Sequence, residues 1–171
     1  MKFVKTQGLG NDFILINGLI EQLPEDLAAF SRKVCDRHFG IGADGVIIVR
    51  ASKIADIRMQ IINSDGSEAE MCGNGIRCFA KYLYERKIVA KNKMTVETLA
   101  GIIKPEVILT DEGRVSDIEV DMGKPVLQGE LIPTVFSKEK VVLEPISVNG
   151  REFLITAVSM GNPHCVIFTD D

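Results

Sequence analysis

The chain has 171 residues and a formal net charge of −4, from 20 Lys and Arg against 24 Asp and Glu. Its composition, 46% hydrophobic and 26% charged, is typical of a soluble globular protein and excludes a disordered or collagen-like chain. The length fits one domain or two small ones. The acidic balance and the few aromatics, with no Trp, disfavour a nucleic-acid partner, because such proteins present basic and stacking surfaces.

Nothing in the sequence indicates export or a membrane partner. No stretch approaches the roughly 18 apolar residues of a membrane-spanning helix, and residues 1–13 lack the apolar core of a secretory signal. We therefore expect a cytoplasmic protein, in which thiols stay reduced. The four thiols and two histidines lack the spacing of metal ligands, so we expect no metal. These residues are Cys35, Cys72, Cys78, Cys165, His38 and His164.

Short strands joined by turns make up most of the predicted structure. The predicted strands cover, in chain order, residues 13–16, 45–49, 57–62, 94–99, 102–109, 115–121, 146–148 and 153–158. Asp65-Gly66 and Asn149-Gly150 carry strong hairpin signals, because Gly accepts a positive φ without steric cost. Apolar stripes with helical spacing predict two helices, over residues 24–37 and 75–87.

These elements predict an α+β fold with a largely antiparallel sheet around one or two helices. Both predicted helices precede a candidate boundary near residues 112–116, and only strands follow it. A few hairpins need a covering element to be stable. The sequence therefore predicts a first domain over residues 1–114 and the start of an incomplete second domain over residues 115–171.

Residues 40–45, GIGADG, match the dinucleotide-binding pattern G-x-G-x-x-G. That interpretation needs a strand before the motif and a helix after it, so that a helix N-terminus points at the pyrophosphate. Here the predicted helix precedes the motif and a strand follows it. The order favours a glycine-rich turn from helix to strand over a nucleotide site.

The sharpest single feature is Cys72, which stands with Gly73, Asn74 and Gly75 at the predicted start of the second helix. A thiol there lies near the positive end of the helix dipole and near unpaired N–H groups, which favour the thiolate. The same N–H groups can bind a carboxylate, and the glycines let a ligand approach the backbone. The alternative, a small apolar residue packed at a helix start, stays open on these residues alone.

The other three thiols are predicted to be structural. Cys78 lies six positions after Cys72, a rotation of about 240° on a helix, so the two sulfurs face apart and Cys78 is a buried spacer. Cys35, near the end of the first predicted helix, and Cys165, in an apolar strand, are predicted core thiols.

Asparagines recur beside the predicted turns, at Asn11, Asn63, Asn74 and Asn162. Each one is ordinary in a turn. Together they predict a site that donates and accepts hydrogen bonds to a polar zwitterion without adding net charge. His164 follows a Pro in a loop that leads into a strand, which makes it a candidate to orient or polarise the ligand.

Three blocks of the sequence resemble the diaminopimelate epimerase family. The longest is residues 63–78, NSDGSEAEMCGNGIRC, which is similar to the family's cysteine signature. Residues 8–13, GLGNDF, and residues 161–165, GNPHC, also resemble family blocks and occur in the same order. The resemblance runs from residue 1 to the end of the chain.

The resemblance implies an isomerase that interconverts LL- and meso-diaminopimelate for lysine and peptidoglycan biosynthesis, without pyridoxal phosphate or another cofactor. It implies two similar domains, each a rolled antiparallel sheet around a central helix, with the active site between them. Two cysteines, one per domain, face opposite sides of the substrate α-carbon, so that a thiolate removes a proton and a thiol delivers one. The implied partner is this small amino acid, and the family pattern also allows a homodimer.

By position, the resemblance assigns Cys72 as the first of the two catalytic cysteines. Other positions match the family's substrate-binding residues, its carboxylate-holding turn and a neighbour of its site. In that order they are Asn11, Asn63 and Asn162, then Gly73 and Asn74, then His164.

The chain departs from the family pattern in two ways. The family's second cysteine, its Glu-Arg pair and its second glycine-rich helix start have no match in residues 1–171, so we expect this chain alone to be inactive. Gly45 stands where some members carry Gln, which removes a contact from that loop. Two alternatives stay open: a non-catalytic binding or interaction module of the same ancestry, and a related amino-acid racemase or isomerase on the same fold.

Overall fold

A computed structural model of the chain describes residues 1–169, and its contacts divide the chain into two compact units, Met1–Asp121 and Met122–Asp171. The division falls after Asp121, later than the boundary expected after residue 114. The reason is a hairpin: the strand Val115–Val120 pairs antiparallel with the strand Pro105–Leu109 and therefore stays in the first unit.

The first unit contains nine strands and both helices. They are β1 Val4–Gly8, β2 Asn11–Asn17, α1 Leu27–Cys35, β3 Gly45–Arg50, β4 Ile57–Asn63, β5 Glu68–Ala69, α2 Gly73–Glu85, β6 Val96–Thr98, β7 Gly101–Ile103, β8 Pro105–Leu109 and β9 Val115–Val120. One sheet has the order β1-β2-β3-β4-β6-β7, with β5 also paired to β4, and β8 and β9 form a separate pair.

The main sheet is mixed rather than purely antiparallel. β2 pairs parallel with β3, and β4 pairs parallel with β6, while the other neighbours are antiparallel. A helix lies in each of the two parallel connections, α1 between β2 and β3 and α2 between β4 and β6. Parallel strands need such long crossovers, whereas hairpins do not. The predicted α+β class is confirmed.

The two helices cover opposite faces of the main sheet. On one face, Leu15 and Ile47 pack with Phe79 and Leu83 of α2. On the other face, Ile14 and neighbouring strand residues pack against the apolar side of α1. The β8–β9 hairpin packs on α2 as well, so that α2 is enclosed between the sheet and the hairpin. This layering explains why β3 is a continuous apolar strand, because both of its faces are buried.

Both helices begin at a recognisable cap, and α2 also ends at one. α1 is shorter than the predicted 24–37, because Asp26 accepts a hydrogen bond from the Ala29 N–H at 2.8 Å and starts the helix there. α2 starts at Gly73 rather than residue 75, with Cys72 as its N-cap. It ends at Glu85, just before Lys87 adopts a left-handed φ of 55°.

The second unit is a three-stranded antiparallel sheet of β10 Glu144–Val148, β11 Arg151–Ser159 and β12 Pro163–Ile167. The predicted turn between the first two strands is confirmed, since Asn149 and Gly150 both have positive φ, 51° and 76°. The short 3-10 turn Gly129–Leu131 precedes the sheet.

Three of the four thiols were predicted to be core residues, and two of them are. Cys35 and Cys78 are buried, whereas Cys165 is exposed and its prediction is wrong. Cys165 lies on β12, an edge strand that pairs only with β11 within residues 1–169. The Cys165 side chain is therefore exposed although the strand sequence around it is apolar. Neither helix in the described residues has the length and apolarity required to cross a membrane.

Candidate functional site

Cys72 caps the N-terminus of α2 with its own sulfur. Its backbone is extended, with φ −143° and ψ 117°, and Sγ accepts a hydrogen bond from the Gly75 N–H at 3.4 Å. The side chain is half-buried. Gly75 fits closely here, because a Cβ at that position would lie 3.3 Å from Cys72 Cβ and 3.2 Å from Ile47 Cδ1. The local sequence thus gives the sulfur both an N–H donor and room.

The structure brings three of the predicted site residues together. Asn11, at the start of β2, places Oδ1 3.4 Å from Cys72 Sγ and 3.4 Å from Asn74 Nδ2. The two segments meet because the turn before β2 lies against α2: an added Cβ at Gly8 would stand 3.4 Å from the Asn74 carbonyl oxygen. A thiol and two side-chain amides therefore meet at one helix N-terminus.

A charged cluster lies directly behind Asn11. Asp44 Oδ2 accepts from Asn11 Nδ2 at 2.7 Å and from the Asp12 N–H at 3.0 Å, while Oδ1 accepts from Arg37 Nη2 at 2.9 Å. Arg37 also donates to Asp12 at 2.7 Å, as does Lys5 at 2.6 Å. The Arg37 guanidinium, followed by the Lys5 ammonium, holds the pKa of Asp12 well below its usual range.

Arg77 makes the corresponding contact on the α2 side. Its Nη2 donates to Asn74 Oδ1 at 2.6 Å, and its Nη1 donates to the Gly73 carbonyl at 3.0 Å. The sequence analysis missed both Asp44 and Arg77 as site residues. The available signals were their places inside the GIGADG motif and the cysteine signature.

The GIGADG motif lies between α1 and β3, as a turn from helix to strand, which confirms the predicted interpretation. Its Asp44 N–H donates to the Asp12 carbonyl at 2.9 Å and so joins the motif to β2. At Gly45 an added Cβ would lie 2.9 Å from the Ile62 carbonyl oxygen. A Gln side chain there would require the β3–β4 pair to shift.

The remaining predicted residues have other surroundings. Asn63 ends β4 opposite Gly45, and its amide donates to Ser67 Oγ at 2.9 Å within the turn that follows. Asn162 and His164 belong to the second unit, where both are exposed and Asn162 Oδ1 lies 3.2 Å from His164 Nε2. Within residues 1–169, no three His, Cys, Asp or Glu side chains cluster as metal ligands would.

The fold is shared with solved structures of an epimerase and of a phenazine biosynthesis protein. A hydroxyproline epimerase from Agrobacterium vitis aligns with a TM-score of 0.69 and 14% identity, over 96% of this chain and 50% of that one. A phenazine biosynthesis protein from Bacillus anthracis aligns with a TM-score of 0.62 and 22% identity, over 98% of this chain and 56% of that one. The chain thus shares the α+β fold of these two proteins.

The sequence defines the family more narrowly. The family model for diaminopimelate epimerase matches residues 3–128. The diaminopimelate epimerases of Moorella thermoacetica and Pelotomaculum thermopropionicum are 56% and 54% identical to this chain over the whole length of the chain. The chain belongs to the diaminopimelate epimerase family. It spans 61% of the length of each of these two relatives.

Proposed function

We propose that this chain supplies one half of a diaminopimelate epimerase active site, with Cys72 as the group that exchanges the α-proton. The observation that carries the proposal is the half-buried Cys72 sulfur at the N-terminus of α2, in contact with Asn11 and the Gly75 N–H. Membership of the diaminopimelate epimerase family supports diaminopimelate as the substrate.

The chemistry requires strong electrostatic help. The α-proton of an amino acid is very weakly acidic, and without pyridoxal phosphate the only electron sink is the substrate's own carboxylate. The enzyme must therefore stabilise a developing dianion. Fixed N–H groups at a helix N-terminus do this without reorganising during the reaction. A thiolate formed at such an end is a suitable base.

The site residues divide this work. The N–H groups of Gly73 and Asn74, in the first turn of α2, hold the substrate carboxylate, and Cys72 approaches the α-carbon from the same end. Side-chain amides bind the zwitterion without adding net charge, and His164 is assigned to the same site by the family resemblance alone. The residues assigned to that binding are Asn11, Asn63, Asn74 and Asn162.

Inversion needs a second acid on the opposite face of the α-carbon, because one base returns the proton to the face that it left. By the family resemblance, this group is a second cysteine in the part of the relatives that the present chain does not match. The isolated chain is therefore expected to be inactive, and no cofactor or metal takes part in the proposed reaction.

A chimera tests this proposal. This chain replaces the matching part of the Moorella thermoacetica relative, and conversion of LL- to meso-diaminopimelate is followed by chiral chromatography without added pyridoxal phosphate and with EDTA. Activity is expected, with loss in Cys72→Ala and retention in the matched control Cys78→Ala, whose sulfur is buried inside the same helix. Retained activity in Cys72→Ala overturns the proposal. If the chimera binds diaminopimelate but does not convert it, although it contains both halves of the active site, the result favours the binding-module alternative.

A further inference from the structure

We infer that Asp44 is a positioning residue: it fixes the Asn11 side-chain amide so that the amide oxygen, not the amide nitrogen, faces the Cys72 sulfur. The inference rests on the proposed function only in taking Cys72 as the reactive thiol. It concerns how the protonation state of that thiol is set.

The first step is a matter of donors and acceptors. A carboxylate only accepts hydrogen bonds, and a carboxamide has one donor end and one acceptor end. Because Asp44 Oδ2 lies 2.7 Å from the Asn11 amide, that contact must use the NH2 group. The oxygen of Asn11 is then directed away from Asp44, to the point 3.4 Å from Cys72 Sγ.

Asn74 independently supports the same orientation. The Arg77 guanidinium only donates, and it lies 2.6 Å from the Asn74 oxygen, so the NH2 group of Asn74 faces the other way. That NH2 group lies 3.4 Å from Asn11 Oδ1 and needs an acceptor there. Two charged residues, Asp44 and Arg77, thus impose one consistent pair of amide orientations.

The consequence falls on the thiol. An amide oxygen beside Sγ accepts a hydrogen bond from S–H but repels a thiolate, whereas the Gly75 N–H donates to a thiolate. Asn11 therefore stabilises the protonated form of Cys72, and the helix end stabilises the deprotonated form. A residue that must both take and return a proton needs both forms within reach.

Asp44 contributes little to the stability of the fold through its ion pair. Its ion pair with Arg37 joins side chains that are 43% and 57% exposed, and pairs of this kind contribute about 0–1 kcal/mol. Asp44→Asn should therefore fold. In that variant, the new amide can donate to Asn11 Oδ1, which turns the Asn11 NH2 group towards Cys72; only the 3.4 Å contact with the Asn74 NH2 group then opposes the change.

The test is the pH profile of iodoacetamide alkylation at Cys72, measured on the 171-residue chain by peptide mass mapping with exposed Cys165 as internal reference. In Asp44→Asn, the pH of half-maximal rate should fall by about half a unit or more, and the rate near pH 7 should rise about threefold. The rate at the high-pH plateau should stay unchanged. A variant that only exposed Cys72 more would raise the plateau rate and leave the midpoint in place.

Controls separate orientation from charge. Asp12→Asn removes a carboxylate from the same Arg37 without touching the Asn11 side chain, and should move the midpoint by less than half as much. The charged groups in the connected cluster are Lys5, Asp12, Arg37 and Asp44, with Arg77 on α2 itself. In an Asn11→Ala background, Asp44→Asn should cause no shift beyond that of Asp12→Asn.

The outcomes are distinct. An unshifted midpoint in Asp44→Asn, or an equal shift in Asp12→Asn, overturns the inference and leaves the proposed function standing. If Asp44→Asn does not fold, Asn11→Ala decides, since removing the oxygen should also lower the midpoint and an unchanged midpoint overturns the inference. If wild-type Cys72 shows no pH-dependent alkylation, the reactive thiol of the proposed function fails and the inference fails with it.

Discussion

The two units of this chain place their predicted site residues on very different supports. In Met1–Asp121, the sheet that carries Asn11 is covered by a helix on each face, and Cys72 caps one of those helices. In Met122–Asp171, Asn162 and His164 lie on or beside the edge strand of a three-stranded sheet. A short sheet with little covering cannot hold side chains as firmly as a two-sided core.

The two units also differ in how many hydrophobic side chains they bury. The first unit buries long aliphatic and aromatic side chains completely, Phe79 and Ile47 among them. Among the described residues of the second unit, the buried hydrophobics are Ile132, Val141, Ile155 and Ala157, while Val135 and Phe168 are 92% and 85% exposed. The candidate site around Cys72 is therefore expected to be preorganised. The side chains of Asn162 and His164 are expected to be held less firmly.

A matched pair of core truncations should give the largest difference. Ile61→Ala, in the fully covered sheet, should cost about 4 kcal/mol in the free energy of unfolding, and Ile155→Ala in the second unit about 2 kcal/mol. Urea unfolding followed by tyrosine fluorescence reports the first unit, because both tyrosines, Tyr82 and Tyr84, lie on α2. Hydrogen exchange of β11 reports the second. Equal costs would break the comparison.

Native-state hydrogen exchange should sharpen the contrast without any substitution. The amides of β3, which pair on both sides inside the sheet, should exchange about 100-fold more slowly than those of β10 and β12. The β8–β9 hairpin, which packs on α2, should resemble the first unit. Protection of β12 equal to that of β3 would show that the second unit is covered in solution.

Acid should weaken the first unit through Asp56. The Lys91 ammonium, 2.8 Å away, and the Thr95 N–H lower the pKa of Asp56 to about 2. Its ionised form therefore contributes stability above the unfolded-state pKa of about 3.9, and that contribution is lost as pH falls from about 4 to about 2. After allowance for exposure, Asp56→Asn should cost about 1 kcal/mol at pH 7 and flatten this part of the pH dependence. The control Asp111→Asn removes the same charge in an exposed turn and should cost less than about 0.5 kcal/mol at pH 7.

The smallest effect is expected at an exposed thiol. Cys165→Ala should change the stability of the chain by less than about 0.5 kcal/mol, because its side chain is exposed. Cys35→Ala should cost about 1 kcal/mol or more, since that sulfur is buried at the end of α1, where burial raises the pKa of the thiol. Thermal unfolding of both variants measures the difference. A larger loss at Cys165 would contradict the assignment of β12 as an edge strand.

Local signals predicted local structure well. Asn149-Gly150 has the positive φ values that its sequence favours, and α2 begins directly behind Cys72. The two parallel pairings were missed because the turn residues that mark hairpins say nothing about strands joined through a helix. Cys165 was misassigned because an apolar strand sequence does not reveal whether the strand lies at an edge.

The candidate site shows the same difference between local signals and contacts of distant segments. The sequence singled out Cys72, Asn11 and Asn74 one at a time, and the structure brings them into contact. Asp44 is marked in the sequence only by its place in the GIGADG motif, and nothing there reveals its hydrogen bond to Asn11, 33 positions away. A carboxylate behind an amide has no pattern of spacing, and only the meeting of β2 with the turn before β3 creates it.

The most direct test of the central claim uses heavy water. The isolated 171-residue chain and the chimera described above are incubated with LL-diaminopimelate in D2O, and both α-deuterium and the meso isomer are measured. If Cys72 is one of two thiols that share the proton transfer, the chimera should form meso product carrying α-deuterium, and the isolated chain should form neither above background. Robust formation of the meso isomer by the isolated chain would show that a group other than a second thiol acts as the opposing acid, and would contradict the account.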